Sequence, residues 1–427
     1  MPSSSRIIAT GITKLIRSNE SAIVLKQRAL EIAVASVSGL RMEHLDGLIT
    51  LPSLSEARFM DAHFLATRMN LLPNRSRNGM MVKTLDTGGA GPVTALLEAH
   101  RLINYGGYSL IAIVAGDAVA SMSTEDFLRE ADAGCSDPEG DSSRPVIPNG
   151  YNRVAEWMIA EGRVTREQLA MVSVLMSRQA VRHPYALTRT PHTLEKVFTS
   201  ASVASVTTQL ECARRADGAA AIIIASPQYI LDHQSVLPKS ISRCPVVLGG
   251  GEASGPLYPP RVITEDMFSC EKAAMKAYKA TGLTVSDIDY FGLYDCFPIC
   301  FIKAVEDVGL ALKGRGGQWV EDKYLQSEAQ KGVLSPSDFP VNTHGGLLSF
   351  GAPWETPAMH SIVEAVIQLS DLSEPEDGVS KSNNGLNFTE ERKFQVKRQV
   401  PHAKHALVYG NGGIFSASAV AILSRAE

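Results

Sequence analysis

CEKAAMKAYKATGLTVSDIDYFGLYDCF, residues 270–297, is the stretch that decides the fold. It opens as an Ala-rich helix with Ala274, Ala277 and Tyr278 on one face. After Ile288-Asp289 the apolar period shortens, and Tyr290 to Tyr294 reads as a strand. KQRALEIAVASVSGLRMEHLDGLITL, residues 26–51, has the same design. Leu30, Val34 and Val37 share a helix face, Leu45-Asp46 follows, and residues 47–51 form the strand. A long chain that carries one helix–strand unit twice is read first as a repeat.

Working outward, the match continues. Thr87-Gly88-Gly89 precedes a helix with Pro92 near its start and Leu96, Ala99 and Ile103 on one stripe. A buried strand follows, Leu110 to Val114, ending in Gly116. Thr343-His344-Gly345-Gly346 precedes a helix over Pro357 to Leu369, with Ile362, Val366 and Leu369 on one stripe. The strand Ala406 to Tyr409 follows and ends in Gly410. Proline suits a helix start because its φ is fixed and its missing N–H is not needed there. Short apolar strands bounded by glycine suit a sheet covered on both faces. The reading is α/β: two related halves about a pseudo-twofold. Residues 118–216 fit neither half and read as an inserted domain, with a polar loop from Ser136 to Ser143. The expected division is 1–117 for the first part of the N-terminal half, 118–216 for the insertion, 217–250 for that half's final strands and 251–427 for the C-terminal half. The polar stretch 371–395 is a shorter excursion with little core character.

The bulk properties exclude several classes. At 427 residues, with 44% hydrophobic and 20% charged residues, the chain suits two or three globular units. A net charge of −4, with Lys and Arg spread along the chain, gives no case for nucleic acid. No apolar run approaches the roughly 18 residues of a membrane span. The six cysteines form no CxxC pair, which favours a reduced compartment. Cys296 and Cys300 stand i, i+4, but no further ligand completes a metal site. Residues 1–19 carry Arg6, Lys14 and Arg17 and no acid, a composition like a mitochondrial presequence. Arg6 to Gly11 also reads as the first core strand, so the location is mitochondrial with an uncleaved segment, or else cytoplasmic.

Four loops carry the chemistry. Cys296 lies before Pro298 and the helix Ile299 to Val308. A thiol at a helix N-terminus meets aligned N–H dipoles that favour the thiolate. Asp295 either caps that helix or raises the thiol pKa by like-charge repulsion, and a buried structural cysteine is the competing reading. The glycines at 88–91, 345–346 and 410–413 let backbone approach a ligand and present N–H groups to an oxyanion, or else serve plain turns. His344, between small residues at a strand-to-helix turn, reads as an acid/base or carbonyl donor, or as a turn histidine bonded to backbone. Gly249-Gly250-Gly251-Glu252-Ala253-Ser254 nearly makes a dinucleotide fingerprint, but its last glycine is displaced.

These loops resemble those of thiolases, most closely the sterol-carrier-protein type. The resemblance rests on Tyr294-Asp295-Cys296-Phe297, NTHGGLLSFGAP over 342–353, Gly410-Asn411-Gly412-Gly413, RIIATGITKL over 6–15, His183-Pro184-Tyr185, ADGAAAIIIAS over 216–226 and LTVSDIDYFGLYDCF over 283–297. The NTHGGLLSFGAP run is similar to a thiolase-like subgroup found in trypanosomatid parasites. The resemblance implies the thiolase fold: two ββαβαβαββ halves related by pseudo-twofold symmetry plus an inserted loop domain that covers coenzyme A. It implies a site at the junction, an acyl-CoA thioester as substrate or ligand with no covalently bound cofactor, a role in lipid metabolism, and homodimerisation through the strand near Met80 to Leu85, a monomer staying open. It places the acyl-accepting cysteine at Thr87, Gly88 or Gly89, where no cysteine stands. The family's His-Asp-Cys-Phe is here Tyr294-Asp295-Cys296-Phe297, so the acid/base cysteine is kept and the histidine is tyrosine. The family's Gly-His-Pro is Gly351-Ala352-Pro353, so that histidine is lost as well. The catalytic candidates are Cys296, Tyr294, Asp295 and His344. The pocket candidates are Thr87, Gly88, Gly89, Gly345, Gly346, Ala352, Gly410 and Gly412. Two functions follow: acyltransferase-like, decarboxylating or retro-aldol chemistry without an acyl-enzyme, or a non-catalytic acyl-CoA-binding or scaffold subunit.

Overall fold

In the computed structural model, residues 5–73, 79–136, 143–332, 334–370 and 397–426 are described. Most of the expected polar loop, 137–142, and the excursion over 371–395 lie outside them. The first half contributes β1 (Arg6–Ile12), α1 (Ala22–Ala35), β2 (Gly47–Thr50), α2 (Asp61–Arg68), β3 (Met81–Thr84), α3 (Gly91–Tyr105) and β4 (Leu110–Ala118). Between β4 and β7 come α4 (Thr124–Cys135), α5 (Val146–Ala160), α6 (Arg166–Ala180), α7 (Leu194–Thr199) and a small ribbon of β5 (Ser202–Ala204) and β6 (Thr207–Thr208). β7 (Asp217–Ala225), α8 (Pro227–Asp232) and β8 (Val246–Ser254) follow. The rest is α9 (Cys270–Thr281), β9 (Tyr290–Gly292), α10 (Pro298–Asp307), α11 (Gly316–Ala329), a π-helical turn at Gly346–Phe350, α12 (Pro357–Leu369), β10 (His405–Gly412) and β11 (Ala417–Ser424).

The repeat is visible in the sheet. Nine strands run in the order β3-β2-β4-β7-β1-β8-β11-β10-β9. Read outward from the β1/β8 junction, β7-β4-β2 on one side corresponds to β11-β10-β9 on the other. β2 pairs parallel with β4 as β9 does with β10, and β7 and β11 run antiparallel to their neighbours. β3 continues the first side, and on the second, among the described residues, an isolated Phe291–Val341 bridge stands in its place. The expected boundary at 250 falls inside β8, which pairs along its length with β11 and at one position, Val246 to Arg6, with β1.

β4 and β7 are buried at every residue, as continuous apolar strands covered on both faces should be. α1 lies on β1, β4 and β7, and α9 lies on β8 and β11. α3 and α12 pack on each other, and each touches strands of both halves, so they form the middle layer. α12 is buried all round, including His360, Glu364 and Gln368, the pattern of a helix with no solvent face. Both middle helices carry proline in the first turn. The loop that enters α3, 87–90, packs against the end of β10 from the other half.

Candidate functional site at the junction of the halves

Glycine brings the first-half loop and the end of β10 into backbone contact. A Cβ at Gly88 would lie 2.9 Å from Gly412 Cα, and one at Gly410 would lie 2.9 Å from Ala90 Cα. One at Gly412 would overlap the Thr87 carbonyl. These glycines therefore serve loop-on-loop packing, where the sequence suggested approach to a ligand. Gly88 also takes φ +59°, which glycine adopts without strain. The Thr87 hydroxyl donates to Thr94 Oγ1 at 3.2 Å, and Thr94 in turn donates to Glu252 at 2.7 Å.

Gly89 shows the sharpest constraint. A Cβ there would overlap the Tyr294 hydroxyl and stand 2.5 Å from both Tyr294 Cζ and the Asn411 carbonyl. The tyrosine ring occupies the space a side chain at 89 would need. Tyr294 is buried, and its hydroxyl pKa is pushed well above the usual value, by burial first and then by Cys296, Cys300, Glu355 and Asp295.

Cys296 precedes α10 by two positions, with Phe297 as the N-cap residue. Its backbone carbonyl accepts from Ala213 N–H at 2.9 Å. The Cys296 thiol acts electrostatically on Tyr151 and on Cys300, whose own proton affinities burial raises. Tyr151 belongs to α5, and its hydroxyl donates to the Gly413 carbonyl at 2.7 Å and accepts from Asn411 Nδ2 at 2.7 Å. Its ring stacks on Phe297 at 4.6 Å. Asn411 Oδ1 takes a further bond from the Tyr409 hydroxyl at 3.1 Å. Tyr151 carries no signal in the sequence, and Asn411, though it lies in the quoted loop, gives no sign of this bond, because their approach across 260 residues is purely tertiary.

Asp295 does not cap α10. It is fully buried, and its carboxylate accepts from Leu347 N–H at 2.8 Å and Leu348 N–H at 3.4 Å, holding the π-helical turn. Burial pushes its pKa up to about 7, while those N–H groups pull the other way. Gly346 (φ +60°) lets the turn pass over this carboxylate, where a Cβ would strike it. A Cβ at Gly345 would lie 2.5 Å from Ala180 Cβ on α6. Ala352 is pinned on both sides, its N–H to the Arg214 carbonyl at 2.8 Å and its carbonyl to Ala216 N–H at 3.3 Å.

His344 faces another environment. Its ring stands edge-on to Phe350 at 5.2 Å, and His183 and His360 pack on the same ring at 4.7 and 5.1 Å. Burial lowers the His344 pKa to about 4 and that of His360 to about 3, so both are neutral. His344 Nδ1 is buried without a partner, which corrects the backbone-bonded turn reading for that nitrogen. Beneath lies a buried ion pair, Arg398–Glu364 at 3.0 Å, with Thr343 donating to Glu364 at 2.7 Å. After burial, Glu364 raises and Arg398 lowers the proton affinity of His344. The structure thus gathers Thr87, Gly88, Gly89, Tyr294, Cys296, Gly410 and Gly412, and sets His344 in a second cluster behind the turn that Asp295 anchors. Among the described residues no three metal-ligating side chains converge.

A family model described as thiolase C-terminal domain-like matches residues 261–387. The acetyl-CoA acetyltransferase of Methanothermobacter thermautotrophicus is 33% identical over 323 residues, covering 75% of this chain and 74% of that relative. Sterol carrier protein 2 of Bos taurus is 29% identical over 274 residues, 64% of this chain but 45% of that longer protein. Among solved structures, an Ltp2-ChsH2(DUF35) aldolase superposes with a TM-score of 0.73 at 20% identity, covering 100% of this chain and 99% of that one. A monomeric SCP2-thiolase like protein type 1 from Mycobacterium smegmatis gives 0.70 at 18% identity, covering 99% and 78%. These structures share the fold. The chain belongs to the thiolase superfamily.

Proposed function

We propose that the protein binds short-chain acyl-CoA thioesters where the two halves meet and acts on them without an acyl-enzyme. The observation that carries this is the Tyr294 ring standing over Gly89. A hydroxyl fills the space that a nucleophilic side chain at Gly89 would occupy, and the Thr87 hydroxyl donates to another hydroxyl, that of Thr94, and not directly to a base. What remains at the site moves protons. The Cys296 thiol lies within electrostatic reach of the Tyr294 hydroxyl. Such a pair suits decarboxylation or retro-aldol cleavage of a malonyl-, 3-oxoacyl- or 3-hydroxyacyl-CoA, or acyl transfer with no covalent enzyme intermediate. That one solved structure of the same fold is an aldolase is in keeping with this chemistry.

A second reading, a non-catalytic acyl-CoA binder or subunit, draws on how little room the hollow beside Tyr151 offers. The hollow lined by Tyr151, Phe297 and Pro298 holds about 10 Å³, room for roughly one water. Calorimetric titration with acetyl-, malonyl- and acetoacetyl-CoA tests what both readings share. Binding heat with no product by mass spectrometry favours the binder. Absence of heat with all three, and of competition between them, removes both.

A further inference from the structure

A small hollow lies where the inserted helices meet the head of α10, walled by Tyr151 and Ala155 of α5, Leu169 of α6, Val206, Phe297 and Ile299. It holds about 10 Å³, and most residues around it are apolar. Its 206–211 side is fixed. Asn152 Oδ1 accepts from Val206 N–H and from the Thr207 hydroxyl, both at 3.0 Å, and Arg166 grips Glu211 at 2.6 and 2.7 Å. Tyr151 borders this hollow and is bonded to the 410–413 loop at once. Its hydroxyl donates to the Gly413 carbonyl and accepts from Asn411 Nδ2, each at 2.7 Å. Its ring stacks on Phe297, the neighbour of Cys296, at 4.6 Å and packs on Phe415 at 5.1 Å. Gly150 lets α5 come this close, since a Cβ there would lie 2.4 Å from Ile414 Cδ1. Tyr151 is buried, and its hydroxyl proton is already spent on Gly413. The side chain therefore acts by the space it fills, on the border between the Cys296 and Gly410–Gly413 loops and an apolar hollow.

We infer that Tyr151 is the specificity-determining residue that limits the acyl chain: its ring closes the hollow beside α10 to any acyl group longer than a short one. The inference rests on the proposed function and names the side chain that makes the ligand short. An acyl group bound beside Cys296 and the 410–413 loop has the Tyr151 and Phe297 rings as its neighbours. A longer chain has to displace a ring held by two hydrogen bonds and two aromatic contacts, in a core that tolerates overpacking poorly. With the ring removed, its volume joins the hollow walled by Leu169, Val206 and Ile299. Each methylene buried there contributes about fourfold in affinity.

The test uses the full chain and the variants Tyr151→Phe, Tyr151→Leu and Tyr151→Ala, each first checked for a cooperative melt. Calorimetry measures the affinities of acetyl-CoA and hexanoyl-CoA for each. Wild type is expected to bind acetyl-CoA at least about tenfold more tightly than hexanoyl-CoA, because seating the longer chain overpacks the core. Tyr151→Ala should raise the hexanoyl-to-acetyl affinity ratio by at least about tenfold, the effect of two buried methylenes. Tyr151→Leu should raise it by less, and it carries the test alone where Tyr151→Ala does not fold. Tyr151→Phe keeps the ring and loses both hydrogen bonds, so its ratio should stay at the wild-type value. A tyrosine with a packing role alone would weaken both ligands together and leave the ratio fixed in all three variants. Wild type that binds hexanoyl-CoA as tightly as acetyl-CoA overturns the inference, and that measurement needs no variant. So does a folded Tyr151→Ala or Tyr151→Leu variant with the wild-type ratio. In both cases the heat of acetyl-CoA binding persists and the proposed function stands. Absence of heat with both ligands in wild type removes the proposed function, and the inference with it.

Discussion

Placing a side chain at Gly89 should separate this protein from an ordinary thiolase in one experiment. In Gly89→Cys the new Cβ meets the Tyr294 ring and the Asn411 carbonyl, both at or inside 2.5 Å. Neither yields easily. Asn411 pairs with Ser418 within the β10–β11 ladder, and its side chain is bonded to Tyr151. Tyr294 is buried in the core that includes Cys296 and Phe297. Relief requires a displaced ring or a shifted strand, and overpacking of this kind costs about 1–3 kcal/mol. Tyr294→Ala alone removes a buried aromatic and costs about 3–5 kcal/mol. The double variant should cost less than the sum, because the ring that opposes Cβ is gone, with a favourable coupling of about 1 kcal/mol or more. Guanidinium unfolding of wild type, both single variants and the double variant measures this coupling. Intact mass after incubation with acetoacetyl-CoA reads any acetyl adduct, and none is expected on Gly89→Cys in the Tyr294 background. Wild-type stability for Gly89→Cys, or strict additivity in the cycle, would refute the steric argument.

Three more outcomes follow from the same geometry. Asp295 has a folded-state pKa raised from 3.8 to about 7, so its contribution to stability is full below pH 4 and fades as pH rises through 7, by about 4 kcal/mol at most across that range. Asp295→Asn should flatten that part of the stability–pH curve measured by urea unfolding, and an unchanged slope would count against a proton on this carboxyl. Burial pushes Cys135 up to about 11 and Cys212 to about 12, and raises Cys270 and Cys300 well above the ordinary thiol value. With Cys296 two residues before α10, peptide-resolved iodoacetamide labelling is expected to modify it ahead of these four, with protection by acyl-CoA, and an inert Cys296 would mark it as a core thiol. Arg398→Met leaves Glu364 buried without its cation and should cost about 3–5 kcal/mol in chemical unfolding, whereas Arg398→Met with Glu364→Leu should recover much of that loss.

The repeat was legible in the amino-acid order alone. The apolar periods of 26–51 and 270–294, and the Gly-led helices at Pro92 and Pro357, are local patterns, and each became the expected helix or strand. The absence of a cysteine from the first loop was equally legible, because it is a matter of residue identity. Where those residues face was settled only by the packing of the whole chain. Asp295 reads from its neighbours as a cap for α10, yet its oxygens turn to the N–H groups of a π-helical turn some fifty residues on, whose period differs from that of an α-helix. The glycines read as room for a ligand or as plain turns, and Gly88, Gly410 and Gly412 also let two loops from different halves pack on each other. His344 reads as part of the site, and burial against Phe350 and beside Arg398 and Glu364 gives it other neighbours. Periodicity fixes which face of an element is buried, but the partner of a buried polar group is set by segments far along the chain, and only packing brings them together.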